Sequence, residues 1–190
     1  MVWSLMALYY CLYGSHSAML EAQQVRVPWT DEGMRWITRL GEFYIILPVA
    51  VTLWFMQGKG QKANAGQLAI LYSLLLGITL PQLTKLAFAD SPRPWAVFPE
   101  VQDFPGLVKA YYKSFPSGHT AAAVTWTSLW ASIAKPALRK PMLMVLFAFG
   151  VGMSRIHLHM HWLHDVIAGG LLGLFSSAMG LRFAGYSQTT

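Results

Sequence analysis

The chain has 190 residues, of which 55% are hydrophobic and only 12% are charged, and its formal net charge is +6. This length suits one domain, and we predict a single domain over residues 1–190, but the composition is too apolar for an ordinary soluble protein. The apolar composition favours a polytopic membrane protein with the bilayer as its partner. Nothing in the chain resembles the basic patch with interleaved aromatic residues that binds nucleic acid.

Six apolar runs follow one another along the chain, at about 1–20, 40–56, 65–84, 117–134, 142–160 and 165–183. Each is near the length of ~20 residues that a helix needs to cross a bilayer. The first run lacks a positively charged start and a small-residue cleavage site, so we interpret it as a membrane helix and not as a signal peptide. We therefore predict an all-α bundle of six transmembrane helices.

Two connecting segments stand out in this series. The segment Glu21 to Arg39 mixes charges with Pro28 and Trp29, and is a candidate for a short helix along the membrane interface. The segment Asp90 to Ser114, between the third and fourth runs, is rich in prolines and aromatic residues: Pro92, Pro94, Trp95, Phe98, Pro99, Phe104, Pro105, Tyr111 and Tyr112. Prolines at this density do not sustain a helix, so we predict a loop that meets the substrate.

The first candidate motif combines Lys85, at the end of the third run, with Arg93 in the sequence Ser91-Pro92-Arg93-Pro94. An ammonium and a guanidinium near one helix end can neutralise a dianion, with arginine supplying a planar fork and lysine a movable point charge. The alternative is that both are interfacial residues whose charged ends extend to lipid headgroups.

The second motif is Phe115-Pro116-Ser117-Gly118-His119-Thr120, directly before an alanine-rich apolar run. Ser117 suits the N-cap of a helix, and Gly118 lets backbone N–H groups approach an anion at the positive end of that helix. His119 would then lie in the first turn, in position to donate a proton to a leaving oxygen. The alternative is a plain helix start with an incidental histidine.

The third motif, Ser154 to Asp165, holds four histidines, an arginine and an aspartate between two apolar runs. Ionisable groups are costly in such surroundings and are usually functional. A neutral imidazole is a competent nucleophile toward phosphorus if a partner fixes its tautomer. His161 has Asp165 four residues on, which is the same face if the segment is helical. Arg155 would bind phosphate oxygens together with the cations of the first motif.

The histidine spacing in this segment also suggests a transition-metal site, with His157, His159, His161 and His164 as candidate ligands. Membrane sites of that kind generally use more histidines, spread over several sequence boxes, whereas only two further histidines lie elsewhere in this chain. We therefore predict no metal and no other cofactor, and we expect the three histidines other than His161 to be interfacial or supporting groups.

The distribution of charge predicts the orientation in the membrane. The ends after the second, fourth and sixth runs carry basic residues and no acid: Lys59, Lys62, Lys135, Arg139, Lys140 and Arg182. Short basic loops of this kind usually lie in the cytoplasm. With six crossings, the three motifs converge on the opposite face, which is predicted to be the periplasmic or exterior face of the cell membrane.

Together the three motifs resemble the three-part signature of the type 2 phosphatidic acid phosphatase superfamily, which also includes the vanadium haloperoxidases. The matching residues are Lys85, Arg93-Pro94, Pro116-Ser117-Gly118-His119, Ser154-Arg155, His161 and Asp165. Seven residues separate Lys85 from Arg93, one more than is usual in the family. The order of the motifs and the six apolar runs extend the likeness to nearly the whole chain, and point to the family's bacterial membrane lipid phosphatases.

The resemblance implies a role for each site residue. His161 would attack phosphorus and form a phosphohistidine, with Asp165 holding its imidazole. His119 would protonate the leaving group and then activate water. The phosphate oxygens would be bound by Lys85, Arg93, Ser117, Gly118 and Arg155.

The resemblance also implies a metal-independent hydrolase whose substrate is a lipid phosphate or diphosphate presented from the bilayer. Candidates are undecaprenyl diphosphate, lipid A 1-phosphate, phosphatidylglycerol phosphate and phosphatidic acid. An alternative on the same scaffold is a phosphotransferase that passes phosphate from undecaprenyl diphosphate to another lipid. A third hypothesis is a non-catalytic protein that binds headgroups or partners; it predicts loss of His119, Arg155 or His161, and all three are present.

Overall fold

The computed structural model describes residues 2–98 and 109–187, and within these ranges every regular element is helical. The α-helices, in chain order, are α1 (Val2–Gln24), α2 (Pro28–Arg39), α3 (Phe43–Met56), α4 (Gln61–Ala87), α5 (Pro94–Val97), α6 (Gly118–Ile133), α7 (Pro141–His157) and α8 (Leu163–Phe183). One short 3-10 helix, Pro136–Leu138, precedes α7. The predicted all-α class is confirmed for this part of the chain.

The six apolar runs correspond to α1, α3, α4, α6, α7 and α8. Among the described helices, α4 and α8 are long and apolar enough to cross a membrane, and α2 with α3, bent by 47° at their break, meet the same test together. The apolar runs extend beyond the ends of the helices within them, so these helices are shorter than the runs. Helices α3, α6 and α7 have only 14, 16 and 17 residues. Length and composition therefore support two to three spans, and the predicted six are not confirmed.

Helix α8 packs against α4, α6 and α1. Its glycines allow this close approach: a Cβ atom at Gly173 would lie 2.6 Å from the Ala121 carbonyl oxygen of α6. Small residues at helix interfaces let two backbones pack closely. As a result the first turns of α6 and α8 meet, and the Ser117 N–H donates to the Asp165 carbonyl oxygen over 3.0 Å. The second and third motifs are thereby adjacent.

Helix α1 bends at Gly14, where φ is +78°, a left-handed conformation that glycine adopts without steric cost. Beside this bend, Ser15 Oγ lies 2.7 Å from His164 Nδ1 near the start of α8. Helix α2 forms within the charged segment Glu21 to Arg39, as expected, and packs against α7. The bundle therefore holds α1 and α2 against the segment that carries the third motif.

The proline- and aromatic-rich segment between α4 and α6 is irregular where it is described, apart from the single turn of α5. Its middle part, residues 99–108, lies outside the described residues, and with it Pro99, Phe104 and Pro105. The two described ends are joined by backbone bonds, since the Arg93 N–H donates to the Tyr111 carbonyl oxygen over 2.8 Å. The predicted loop is confirmed at these two ends.

Candidate active site

The start of α6 brings the first two motifs together. Ser117 is the N-cap, and its Oγ accepts a hydrogen bond from the Thr120 N–H over 3.4 Å. The next residue, Gly118, faces the end of α4: a Cβ atom placed on it would lie 4.0 Å from Lys85 Nζ. The Lys85 ammonium thus reaches the N-terminus of α6, even with the extra residue between Lys85 and Arg93.

Asp165 is fully buried, and polar atoms of four residues lie close to its carboxylate. The Ser114 hydroxyl donates to its Oδ2 over 2.5 Å, and the Trp162 N–H donates to the same oxygen over 2.9 Å. His161 Nδ1 lies 3.4 Å from Oδ2, and His164 Nε2 lies 3.2 Å from Oδ1. Two hydrogen bonds to Oδ2 fix the direction of the carboxylate, so Asp165 can orient the His161 ring.

His161 and Asp165 meet across the start of a helix and not along one continuous helix. Residues 158–162 form a turn between α7 and α8, so His161 precedes the helix that carries Asp165. Asp165 lies in the first turn of α8, and its side chain caps the Trp162 N–H. The pair is close because the aspartate reaches back over the helix start.

Burial controls the protonation of His161, which is only 2% exposed. Loss of hydration lowers the pKa of His161 to about 3, aided by the charges of Arg155 and Arg93 and opposed by Asp165. The imidazole is therefore neutral over the physiological range of pH. A neutral imidazole carries the lone pair that a nucleophile needs.

The Arg93 guanidinium is 8% exposed and bonds to three backbone carbonyls. It donates to Tyr112 O over 2.9 Å, to Met160 O over 2.9 Å and to Lys113 O over 3.2 Å. These bonds use three of the five N–H groups of a guanidinium. Arg93 therefore joins the loop before α6 to the turn that carries His161, in addition to placing a positive charge there.

Arg155 is 5% exposed and donates from Nη1 to the Thr38 hydroxyl over 2.7 Å. His119 Nε2 lies 4.0 Å from the Glu42 carboxylate oxygen Oε1. Thr38, Glu42 and Ser114 belong to none of the three motifs. Their distance along the chain from their partners leaves no local pattern that could have identified them.

The other three histidines of the third motif have partners of their own. His157 Nε2 lies 2.8 Å from Asp31 Oδ1 of α2, and His164 contacts Asp165. The His159 ring lies edge-on to Trp95, and burial lowers the pKa of His159 to about 4. Within the described residues, no group of three or more histidine, cysteine, aspartate or glutamate side chains could hold a metal ion.

A cavity of about 610 Å³ opens beside the site, between α3, α4 and α6. Its polar end is formed by Glu42, Lys85, Gly118 and His119, while the part farther along the helices is mainly apolar, with Ile46, Leu74, Ile78 and Ala122. A ligand with a phosphate headgroup and an apolar tail matches such a cavity. A second cavity, of about 560 Å³ between α1, α7 and α8, contains none of the predicted site residues.

All eight predicted site residues thus lie in one cluster. Besides the contacts above, the charges of Arg155, Lys85 and Arg93 act on the His119 imidazole, as does His161. The cluster combines a neutral buried imidazole with an aspartate behind it, a second imidazole at a helix start, and three cations. This set of groups is suited to transfer of a phosphoryl group.

Comparison with known proteins identifies the family. Residues 66–188 match the PAP2 superfamily. Over 161 residues the chain is 32% identical to phosphatidylglycerophosphatase B of Bacillus subtilis (strain 168), an alignment that covers 79% of this chain and 73% of that protein.

Two crystal structures have a similar fold. One is Aquifex aeolicus LpxE, with a TM-score of 0.66 and 26% identity over 88% of this chain and 94% of that one. The other is a transmembrane PAP2-type phosphatidylglycerolphosphate phosphatase from Bacillus subtilis, with a TM-score of 0.66 and 24% identity over 100% and 96% of the two chains. The family predicted from the three motifs is confirmed: this chain belongs to the PAP2 superfamily and is a membrane phosphatase of phosphoric monoesters.

Proposed function

We propose that this single-domain protein hydrolyses a lipid phosphate or diphosphate through a phosphohistidine formed on His161, without a metal ion. The observation that carries the proposal is the buried, neutral His161 with the fixed Asp165 carboxylate 3.4 Å from its Nδ1. Asp165 favours the tautomer with the proton on Nδ1, which leaves the lone pair on Nε2 for attack on phosphorus.

In the first step, His161 Nε2 forms a bond to phosphorus and the bond from phosphorus to the leaving oxygen breaks. His119 donates its proton to that oxygen, which is an alkoxide for a monoester or a lipid phosphate for a diphosphate. The positive charge that develops on the His161 ring is stabilised by Asp165. Ser114 and Trp162 hold the aspartate in position for this task.

In the second step, the His119 imidazole, now neutral, takes a proton from water as the water oxygen attacks phosphorus. The bond from phosphorus to His161 breaks, inorganic phosphate leaves, and both histidines return to their starting states. The same residue can act as acid and then as base because the two steps are chemically the reverse of each other at that proton.

The phosphate oxygens are bound by Lys85, Arg93 and Arg155, together with the Ser117 hydroxyl and the Gly118 N–H. The position of Lys85 Nζ near Gly118, at the positive end of α6, supports this cradle. Fixed cations of this kind stabilise the charge on the transferring group, which is the task that metal ions perform in many phosphatases.

We propose that six helices cross the cell membrane, with the site at the periplasmic or exterior face, and that the lipid tail occupies the cavity between α3, α4 and α6. Because the cavity connects Lys85 and His119 to apolar helix faces, a lipid phosphate suits it better than a soluble one. The name of the Bacillus subtilis relative makes phosphatidylglycerol phosphate the first candidate to test. The others are undecaprenyl diphosphate, lipid A 1-phosphate and phosphatidic acid.

The test is phosphate release from these four lipids in detergent with a chelator present. The parent protein is expected to release phosphate from at least one lipid, and His161→Ala is expected to release none. His164→Ala is the matched control, because His164 also contacts Asp165 but is 41% exposed on its side chain. Release by His161→Ala at the parent rate would contradict the proposal, and transfer to an added acceptor lipid in excess of phosphate release would indicate a phosphotransferase instead.

A further inference from the structure

The junction between α2 and α3, residues 38–42, lies against the active site although none of the three motifs includes it. Thr38 is in the last turn of α2, residues 40–42 form the break between the helices, and Glu42 is the N-cap of α3. Within the junction, the Gly41 N–H donates to the Thr38 carbonyl oxygen over 3.0 Å. Thr38 and Glu42 are thus held close together on one short turn.

This junction is fixed to the helices that carry the site. Helix α2 bonds to α7 at two places, through Asp31 with His157 over 2.8 Å and through Thr38 with Arg155 over 2.7 Å. Gly41 adds a close approach to both α6 and α7. A Cβ atom on it would lie 2.8 Å from Val151 Cγ1 and 3.1 Å from the His119 carbonyl oxygen.

At one end of the junction, Thr38 determines where the Arg155 guanidinium points. Both side chains are 5% exposed, so water does not compete for this bond. The Thr38 hydroxyl oxygen accepts a hydrogen bond from Arg155 Nη1, which restricts the orientation of the guanidinium. A planar donor binds phosphate oxygens well only if its plane is set correctly.

At the other end, Glu42 places a carboxylate 4.0 Å from His119 Nε2, and both side chains are half-buried. The other charged or titratable groups acting on His119 are the cations Lys85 of α4, Arg93 of the loop and Arg155 of α7, and the imidazole of His161 in the turn before α8. The cations oppose the imidazolium form. An opposite charge at ~4–6 Å favours it.

We propose that the junction is a further part of the active site, in which Glu42 stabilises the imidazolium form of His119 and Thr38 positions Arg155. This inference rests on the proposed function, since it assumes that His119 is the acid of the first step. The imidazolium is the form that donates the proton. Glu42 therefore extends the range of pH over which His119 can donate a proton. Both Glu42 and Thr38 act through a neighbouring side chain and not by contact with phosphorus.

The first test is the pH dependence of kcat/KM for Glu42→Gln and Glu42→Ser. Serine is a preferred N-cap residue, so Glu42→Ser removes the charge while retaining a good start for α3. Without the carboxylate, His119 loses its proton at a lower pH, so the alkaline limb of the profile moves down by ~0.5–1 pH unit. At pH values above the alkaline limb, a shift of this size makes kcat/KM ~3–10-fold lower than that of the parent.

The matched control is Glu32→Gln, which makes the same change ten residues earlier in α2, where Glu32 pairs with Arg35 over 3.1 Å on the exposed face. Its pH profile is expected to overlay that of the parent. A purely structural role for Glu42 would lower activity equally at every pH. An unshifted alkaline limb in both folded Glu42 variants overturns the role of Glu42.

The second test compares Thr38→Val with Thr38→Ser. Valine keeps the shape but removes the acceptor, so kcat/KM is expected to fall ~10-fold, whereas serine restores the acceptor and stays within ~3-fold of the parent. Equal values of kcat/KM for Thr38→Val and Thr38→Ser would overturn the role of Thr38. Parent-level activity in His161→Ala would instead refute the proposed function, so the two failures are distinguishable.

Discussion

Replacing Asp165 by asparagine is the most informative single change in this protein. The amide keeps the size of the carboxylate, and its oxygen can still accept from the Ser114 hydroxyl and the Trp162 N–H, which lie 2.5 and 2.9 Å from Oδ2. What it removes is the negative charge 3.4 Å from His161 Nδ1. The ground state is thus preserved, and the loss is expected to fall on the transition state, where the His161 ring becomes positive in the proposed mechanism.

The magnitude follows from Coulomb's law. Two unit charges separated by 3.4 Å attract by ~5 kcal/mol at an effective dielectric constant of ~20. The charge on the ring is only partly developed in the transition state, so we expect a loss of ~3–5 kcal/mol, which lowers kcat by ~10²–10⁴-fold. The assay is single-turnover phosphate release by purified protein in detergent, with folding checked by size exclusion and thermal unfolding.

The matched control is Asp31→Asn, since Asp31 also lies beside a histidine, at 2.8 Å from His157 Nε2, but outside the catalytic cluster. It is expected to reduce stability and to leave kcat within ~3-fold of the parent, because it affects no charge at the reacting atoms. If folded Asp165→Asn retained more than a tenth of the parent kcat, the assignment of Asp165 as the partner of the nucleophile would be wrong.

Three further predictions follow from the site and the packing. Burial lowers the pKa of His159 to about 4 and that of His161 to about 3, so the unfolded chain binds protons at these positions first as the pH falls. The free energy of unfolding is therefore highest above the unfolded pKa of ~6.5 and declines below it by at most ~1.4 kcal/mol per pH unit per histidine. The melting temperature at about pH 5 is expected to be lower than at about pH 7. Gly173→Ala would put a Cβ atom 2.6 Å from the Ala121 carbonyl oxygen, whereas the nearest atom at Gly150 of α7 is 3.6 Å away; we expect Gly173→Ala to destabilise the bundle by ~1–3 kcal/mol and Gly150→Ala to have little effect, with equal melting temperatures as the contradictory result. Chelators are expected to leave phosphate release unchanged, because the proposed mechanism assigns the task of a metal ion to three cations; restoration of chelator-treated protein by a divalent metal would contradict this.

Much of the candidate site could be predicted because its parts are local in sequence. The N-cap Ser117 and its neighbours Gly118 and His119 form one helix start, which short-range capping rules describe. His161 and Asp165 are four residues apart, so they remain close even though a turn, and not a continuous helix, connects them. The predicted convergence of these motifs rested on six alternating membrane crossings, which stay a prediction.

The residues that sequence reasoning missed contact the site only through the tertiary fold. Thr38 is 117 positions from Arg155, and Ser114 is 51 positions from Asp165. Their residue types carry no signal, because threonine and serine occur throughout the chain. Glu42 was equally hidden, since it lies near the start of the apolar run 40–56 and in none of the three motifs.

The number of membrane crossings is the part of the predicted fold that helix length and composition support only in part. Apolar composition marks where a segment tolerates lipid, but it does not mark where the helix within that segment ends. The run 40–56 contains the break before Phe43, and the run 142–160 continues past the end of α7 at His157. Six crossings and an outward-facing site therefore stay predictions. Cysteines placed in the 57–63 and 135–141 loops test them by labelling from each side of the membrane.

The central claim is that His161 carries the phosphoryl group between the two steps. Rapid quenching of the protein with a labelled lipid phosphate, followed by peptide mass spectrometry, tests it most directly. We predict one phosphorylated residue, His161, in the parent protein, and none in His161→Ala. A phosphoryl group on another residue, or turnover with no phosphorylated protein at any time, would contradict the account.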